Sequence, residues 1–343
     1  MSADVVVVGA GICGAATAFF LAERGVDVLL LDRGTVSGAT TGLGEGNVLV
    51  CDKHPGPERD LALVGRELWT QLGERFPAAR VTPKGALLLG HRDGVEVAER
   101  EPALAPGVRA LAEPGDLQVD PSGLTRALAA HVRVRVREGA EVASVARGAV
   151  VLADGERVAC EHVVVATGPW AAQLTGLPVE PRKGQLVALA APAGLIAHKL
   201  VEATYLQAAA GAEGDLVLAT VIEQTLNGDE VLVGSSRERV GFDPTVRDDV
   251  TRALVARATR FVPALAGLEV TRAWCGFRAW LPDGRPAIGA LGDGVWTTTG
   301  HEGSGVGLGP IAGLLLAQMI CGEAPTFDAA PFDPWRFSAV GRA

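Results

Sequence analysis

Four consecutive valines, Val5 to Val8, run directly into Gly9-Ala10-Gly11-Ile12-Cys13-Gly14, and an acid, Asp32, follows about twenty residues later. A run of β-branched residues without polar interruption suits a strand buried on both faces of a parallel sheet. The glycines then permit a turn against a phosphate. Gly9 makes the turn, Gly11 lets the backbone approach a pyrophosphate, and Gly14 lets the next helix pack close to the strand. Ala10, Ile12 and Cys13 complete the loop and open a helix whose positive end faces the phosphate charge. Val28-Leu29-Leu30-Leu31 reads as the second strand, and Asp32 at its end can accept both ribose hydroxyls. Arg33 beside it would suit a 2′-phosphate, but Asp32 repels that group. The opening therefore predicts a dinucleotide-binding βαβ unit and, with it, an α/β class.

At 343 residues and 48% hydrophobic content, the chain has material for two domains with sizeable cores. A net charge of −9 disfavours nucleic acid and anionic membrane surfaces as partners. The five cysteines form no Cys-x-x-Cys pair, which points away from a disulfide framework or a metal site and toward a reducing cytoplasm. The N-terminus enters a strand too early for a signal peptide, and the apolar stretch 311–320 is too short to cross a bilayer.

Glycine-rich turns recur far from the first. One follows Ala39, Thr40 and Thr41, and includes Gly44, Glu45, Gly46 and Asn47; another is Gly303-Ser304-Gly305-Val306-Gly307 after His301 and Glu302. Between them, Val163-Val164-Val165 reads as a buried strand leading into Ala166, Thr167, Gly168 and Trp170, with Val142 ahead of it. Dispersed nucleotide contacts suit FAD better than a nicotinamide coenzyme, because FAD is long and stays bound through turnover. The third turn would then place a helix N-terminus where reduced flavin develops negative charge, though it could equally be only a tight helix start. The inserted segments carry short apolar runs typical of mixed or antiparallel strands, with a hairpin signal at Asn227-Gly228-Asp229 and a helical period from 248 to 260. The expected fold is thus a discontinuous FAD-binding, Rossmann-like domain (1–78, 118–176, 286–340) and a substrate domain (79–117, 177–285).

For chemistry, the segment Trp274 to Trp280 is the richest. A strand there puts Trp274, Gly276, Arg278 and Trp280 on one face, a guanidinium among indoles that resembles a carboxylate clamp, or else a structural ion pair. Tyr205, the sole tyrosine, either closes over a substrate or is a half-buried strand residue. Glu223 could attract an ammonium group or sit on an exposed sheet face. His301 could touch flavin or substrate, or bond locally.

The order of these motifs, together with Pro181-Arg182-Lys183-Gly184-Gln185, Val233-Gly234-Ser235-Ser236, Pro282-Asp283-Gly284 and Gly300-His301-Glu302-Gly303, resembles the D-amino-acid oxidase family. Glycine oxidase, sarcosine oxidase and the β subunits of D-hydroxyproline and opine dehydrogenases belong to it. The resemblance implies a glutathione-reductase-type FAD domain, a mixed-sheet substrate domain and oxidation of a C–N bond, with Arg278 holding the substrate carboxylate. The family's active-site tyrosine falls near Thr220. The flavin-linking cysteine of monomeric sarcosine oxidase falls near Gly276, so FAD is expected to be non-covalent. Electrons would pass to oxygen or to a redox partner. Alternatives are a β subunit in a heteromer with an iron–sulfur protein, a homo-oligomer, or a flavin-binding assembly subunit without activity.

Overall fold

The structure, a computed structural model, describes residues 2–205 and 216–337. Leu206 and residues 338–340, which fall in expected elements, lie outside the described residues.

The valine run forms the strand Val5–Val8, flanked in parallel by Val28–Leu31 and His162–Val165. Val134–Arg137 and Val295–Thr299 extend this layer, and Ala287–Gly292 closes its edge antiparallel, giving six strands. Side chains alternate between two cores. Val5, Val7, Val28, Leu30 and Val164 pack on one face with the helices, and Val6, Val8, Leu29, Leu31, Val163 and Val165 pack on the other. Both faces being covered explains why the sequence shows continuous apolar runs there instead of alternation.

The first helix, Ile12–Glu23, crosses from this layer and packs on the last helix, Gly305–Ile320. A Cβ at Gly313 would stand 2.6 Å from the Thr17 backbone nitrogen, so the glycine sets how closely the two helices approach. The last helical run is longer than the sequence indicated. From Glu302 to Ile320 it is long and apolar enough by length and composition to cross a membrane, which corrects the expectation from 311–320. Its apolar faces are spent inside the molecule, against the first helix and against Pro57–Arg75, whose Trp69 indole donates to the Val306 carbonyl (3.0 Å).

The second layer is an eight-stranded mixed sheet. Val270–Trp280, Glu180–Ala190, Glu230–Arg237 and Val217–Gln224 run antiparallel, the last two joined by the predicted Asn227-Gly228-Asp229 hairpin. Lys199–Glu202 then pairs in parallel with Ala86–Leu89. The helix Asp248–Thr259 covers one face through Val250, Leu254 and Ala258. The other face, with Val201 and Val221, looks toward the carboxyl ends of the parallel strands, and a cleft lies between.

Candidate functional site

The cleft is lined from distant parts of the chain, among them the turn after Val8, the segment 38–53, residues 166–170, residues 276–279 and the segment 298–307. With its open mouth included the cleft holds about 2010 Å³ of space, and its lining runs from the turn after Val8 to the start of the last helix, an extent suited to an elongated ligand.

At one end, Gly9 has φ +104°, and a Cβ there would meet the Ala166 carbonyl at 2.5 Å, so only glycine permits this turn. Gly14 lies against the Gly9 carbonyl, as a helix packed tightly on its strand requires. Asp32 lines the cleft and takes the Ala10 amide (2.7 Å), while the Thr41 hydroxyl accepts from the Ile12 amide (3.1 Å). Gly11 has no side chain to cap the helix and the first turn holds no acid, so beyond the Ile12 amide taken by Thr41 the helix end is open to an anion. Gly9, Gly11, Ile12, Cys13, Arg33, Ala39, Thr40, Thr41, Gly44, Glu45, Gly46, Asn47, Val142, Ala166, Thr167, Gly168 and Trp170 line the same cleft, whereas Ala10 and Gly14 stand behind it. The Arg33 guanidinium sits over the Trp170 ring at 4.2 Å. Burial pushes the Cys13 thiol up to about 12, which makes it inert. Cys275 bonds the Pro244 carbonyl (3.2 Å) and lies outside the lining, so Gly276 and not a cysteine faces the cleft.

At the other end, His301, Glu302, Gly303, Ser304, Gly305, Val306 and Gly307 line the wall and start the last helix. His301 is buried with Nε2 on the Thr298 hydroxyl (2.9 Å). Burial lowers its pKa to about 4, so the ring is neutral. Between pH 6.5 and 4 the unfolded chain binds a proton that this folded site refuses. Stability is therefore complete above pH 6.5 and falls as the pH drops toward 4, by on the order of 3 kcal/mol from this group. Denaturant titrations at pH 7.5 and 5 should show the part of that loss reached by pH 5, on the order of 2 kcal/mol, with His301→Gln flattening the slope; an unchanged slope would place the ring's titration elsewhere.

Three buried polar atoms on cleft-lining residues find no hydrogen-bond partner among the described residues: Asn47 Oδ1, Thr167 Oγ1 and His301 Nδ1. Such groups call for a polar ligand along the whole length of the cleft. A dinucleotide coenzyme with phosphates at Gly11, a ribose at Asp32 and its far end near His301 fits this requirement.

The substrate side is built on a pair of glycines. In the antiparallel register Gly184 faces Gly276 and Arg182 faces Arg278, all on one side of the sheet. The missing side chains leave the floor on which the Arg278 guanidinium lies; a Cβ on Gly184 would be 2.2 Å from Nη1. Nη1 donates to the Ser236 carbonyl (3.0 Å), and Arg278 lines the cleft. The indoles do not flank it as the strand period suggested. Arg239 covers Trp280 and Arg272 covers Trp274, at 4.1 Å each, because each indole recruits its own surface arginine. Gly184→Ala should push the guanidinium aside and lower kcat/KM for carboxylate substrates about 10–100-fold with little change in melting temperature. Unaltered kinetics would show that the guanidinium is not positioned by this floor.

Tyr205 lines the cleft, with its ring against Arg237 (4.2 Å) and its hydroxyl near Gly303. Thr220 is turned to the opposite face, its amide donating to Glu202 (3.0 Å), while its neighbour Val221 faces the cleft. Glu223 is fully buried outside the lining and engages Lys199 (3.3 Å) and Lys84 (3.6 Å) instead of an ammonium ligand. Lys199 also pairs with Glu45 on the cleft wall. Lys53, paired with Asp52 at 2.6 Å, lines the wall as well. The sequence reading missed both lysines and also Arg237. Their only local signal is a cation within or beside an apolar strand.

A coenzyme cradle facing an arginine on a glycine floor is the architecture of an oxidoreductase that holds substrate against a bound dinucleotide. The chain belongs to the family of FAD-dependent oxidoreductases (DAO), whose model matches residues 4–319, and FAD is its cofactor. It is 30% identical to glycine oxidase of Pseudomonas putida across 97% of this chain and 99% of that enzyme. It is also 30% identical, over 66% of its length, to the hydrogen cyanide synthase subunit HcnC of Pseudomonas protegens, 54% of which is covered. The crystal structure of glycine oxidase from Geobacillus kaustophilus matches with a TM-score of 0.85 at 28% identity, covering 99% of this chain and all of that one.

Proposed function

We propose that the protein oxidises the C–N bond of an amino or cyclic imino acid whose carboxylate is bound by Arg278. The observation that carries this is the Arg278 guanidinium, laid over Gly184 in the cleft that the coenzyme turns also line. FAD supplies the hydride acceptor for this chemistry. The chain's own residues orient and exclude. Arg278 offers a planar fork that fixes the carboxylate and thereby aims Cα–H. Leu43, Leu186, Val201 and Val221 form an apolar wall that keeps water from the amine carbon. The amine must be neutral to release hydride, and no base need touch Cα. His301, neutral near pH 7, adds no charge beside the reacting end. In this reading the six-stranded layer carries the coenzyme and the eight-stranded layer presents the substrate. A reducing, cytoplasmic setting belongs to this reading, on the ground that the five cysteines form no Cys-x-x-Cys pair in the sequence.

The test is anaerobic mixing of the FAD-loaded protein with glycine, sarcosine, D- and L-amino acids, prolines and N-carboxyalkyl amino acids. Bleaching of the flavin band near ~450 nm is expected for at least one class. If none bleaches it, the protein binds flavin without this activity.

A second reading, a dehydrogenase subunit in a heteromer, is favoured by the similarity to a relative named as a subunit. Val240, Phe242 and Val246 are exposed, and Phe242 stacks on Trp170 at the cleft. Slow peroxide release in air with fast reduction of a dye acceptor would support this reading; rapid peroxide release would exclude it.

A further inference from the structure

We infer that Glu45 receives the substrate nitrogen, so that an α-amino or imino acid lies between two side chains, its carboxylate on Arg278 and its amine on the Glu45 carboxylate. This inference rests on the C–N oxidation reading above.

The acids that line the cleft are Asp32, Glu45, Asp52, Glu141 and Glu302. Asp32 accepts the Ala10 and Gly34 amides at the ribose end, and Glu141 follows Ala140, whose amide the Asp32 carbonyl accepts. Asp52 is paired with Lys53, and Glu302 has Arg237 on one oxygen and the Gly303 amide on the other. Glu45 differs from these. Its Oε2 accepts from Lys199 and from the Asn47 amide (3.3 Å), while its Oε1 has no hydrogen-bond partner among the described residues. The Lys199 side chain is 2% exposed and that of Glu45 17%, so the carboxylate, and not the ammonium, is what this pair turns to the cleft. Lys199 acts as a positioning residue, holding one oxygen and leaving the other for a ligand.

The substrate sheet sets that oxygen beside the Arg278 clamp. A Cβ on Gly234 would stand 3.2 Å from Glu45 Oε1, 2.3 Å from Leu186 Cδ2 and 3.1 Å from Val221 Cγ2, so the oxygen lies over a bare glycine between two apolar side chains. Val187 pairs with Val233, which brings Leu186 beside Gly234 on the neighbouring strand. Gly184, under the Arg278 guanidinium, is two residues from Leu186 and shares its face. Gly184 and Gly234 are therefore diagonal neighbours across one strand pair, a spacing of roughly 7–8 Å. Hydrogen bonds of about 2.9 Å at the two ends take up most of that span, and the remainder suits a nitrogen and a carboxylate carried on the same carbon. A carboxylate oxygen over an apolar floor calls for a donor, and a substrate N–H supplies it. Held at both ends, the substrate has its Cα–H aimed more narrowly than Arg278 alone can achieve.

The experiment uses the FAD-loaded protein and amino acids that have no hydrogen on the amine carbon and so resist oxidation there, with perturbation of the visible flavin spectrum as the readout. 2-Aminoisobutyrate is compared with isobutyrate, and 1-aminocyclopropane-1-carboxylate with cyclopropanecarboxylate. In at least one pair the amino acid should bind about tenfold more tightly than the acid without its amine, the range for a hydrogen bond to a charged group. Glu45→Gln should reduce that ratio to about twofold while the amine-free acid still binds, because a neutral amide keeps an acceptor but loses the charge. No amine advantage in either pair with the wild type overturns the proposal even if the variant fails to fold, and so does an advantage that survives in Glu45→Gln. An amine advantage without bleaching by any oxidisable amine would sink the oxidation reading and leave the Glu45 subsite standing. Bleaching by amines without that advantage would sink the Glu45 subsite alone.

Discussion

Arg278→Met is expected to lower kcat/KM for carboxylate-bearing amines by roughly 30-fold to several thousand-fold, the range for truncating one partner of a desolvated charge pair worth about 2–5 kcal/mol. Among the described residues only one of the five guanidinium N–H donors is committed, to the Ser236 carbonyl at 3.0 Å, which leaves a fork for the ligand. Lysine is too compact to supply that fork, so Arg278→Lys should recover only part of the loss. The fold should tolerate both changes. Arg278 stands opposite Arg182 in the strand pair, and removing one of these two neighbouring guanidinium groups relieves repulsion, so the melting temperature should hold or rise. Parallel kinetics on an amine ester or amide give the decisive comparison, because a substrate with no carboxylate has nothing to lose at this position. An equal loss on both substrates would mean that Arg278 shapes the cleft without binding the carboxylate.

How far the sequence revealed this site depended on whether each feature is local. Val5–Val8 announces a doubly buried strand because its four side chains go alternately to two cores, and both cores demand apolar residues. The turn at Gly9 and the acid Asp32 are equally local, since a phosphate loop and a ribose-binding strand end need particular residues at fixed spacing. Arg278 was visible for a similar reason, as a guanidinium inside the apolar stretch Trp274 to Trp280. Its surroundings were not. Gly184 comes to lie under it only through an antiparallel register that joins residues about ninety positions apart, and no spacing rule specifies that register. Glu223 shows the same limit. Its local sequence is that of any strand carboxylate, and the two lysines that claim it arrive from Lys84 and from the Lys199–Glu202 strand, neighbours only once the parallel pair with Ala86–Leu89 has formed.

That buried chain of charges predicts the largest stability effect. Lys199 is 2% exposed and stands between Glu45 and the fully buried Glu223. Burial disfavours its ammonium, and Glu223 and Glu45 outweigh that penalty and raise its pKa. Lys84 lies beyond, 3.6 Å from Glu223, with its ammonium also donating to the Gln224 carbonyl at 2.7 Å and to Gln118 at 3.1 Å. Lys199→Met removes the nearest cation and leaves Glu223 in the sheet interior with Lys84 at the longer distance and the uncharged Asn47 amide. The expected cost is about 3–5 kcal/mol, the range for breaking a buried ion pair from one side. Adding Glu223→Gln to Lys199→Met should return most of that loss, since a neutral amide no longer pays for a buried charge. Urea unfolding of the FAD-loaded wild type, both single variants and the double variant closes the cycle, provided the slopes agree. If the two losses simply add, the residues do not act as a pair and the chain is a set of independent contacts. If Lys199→Met costs under about 1 kcal/mol, water reaches Glu223 and the interior assigned to it is wrong.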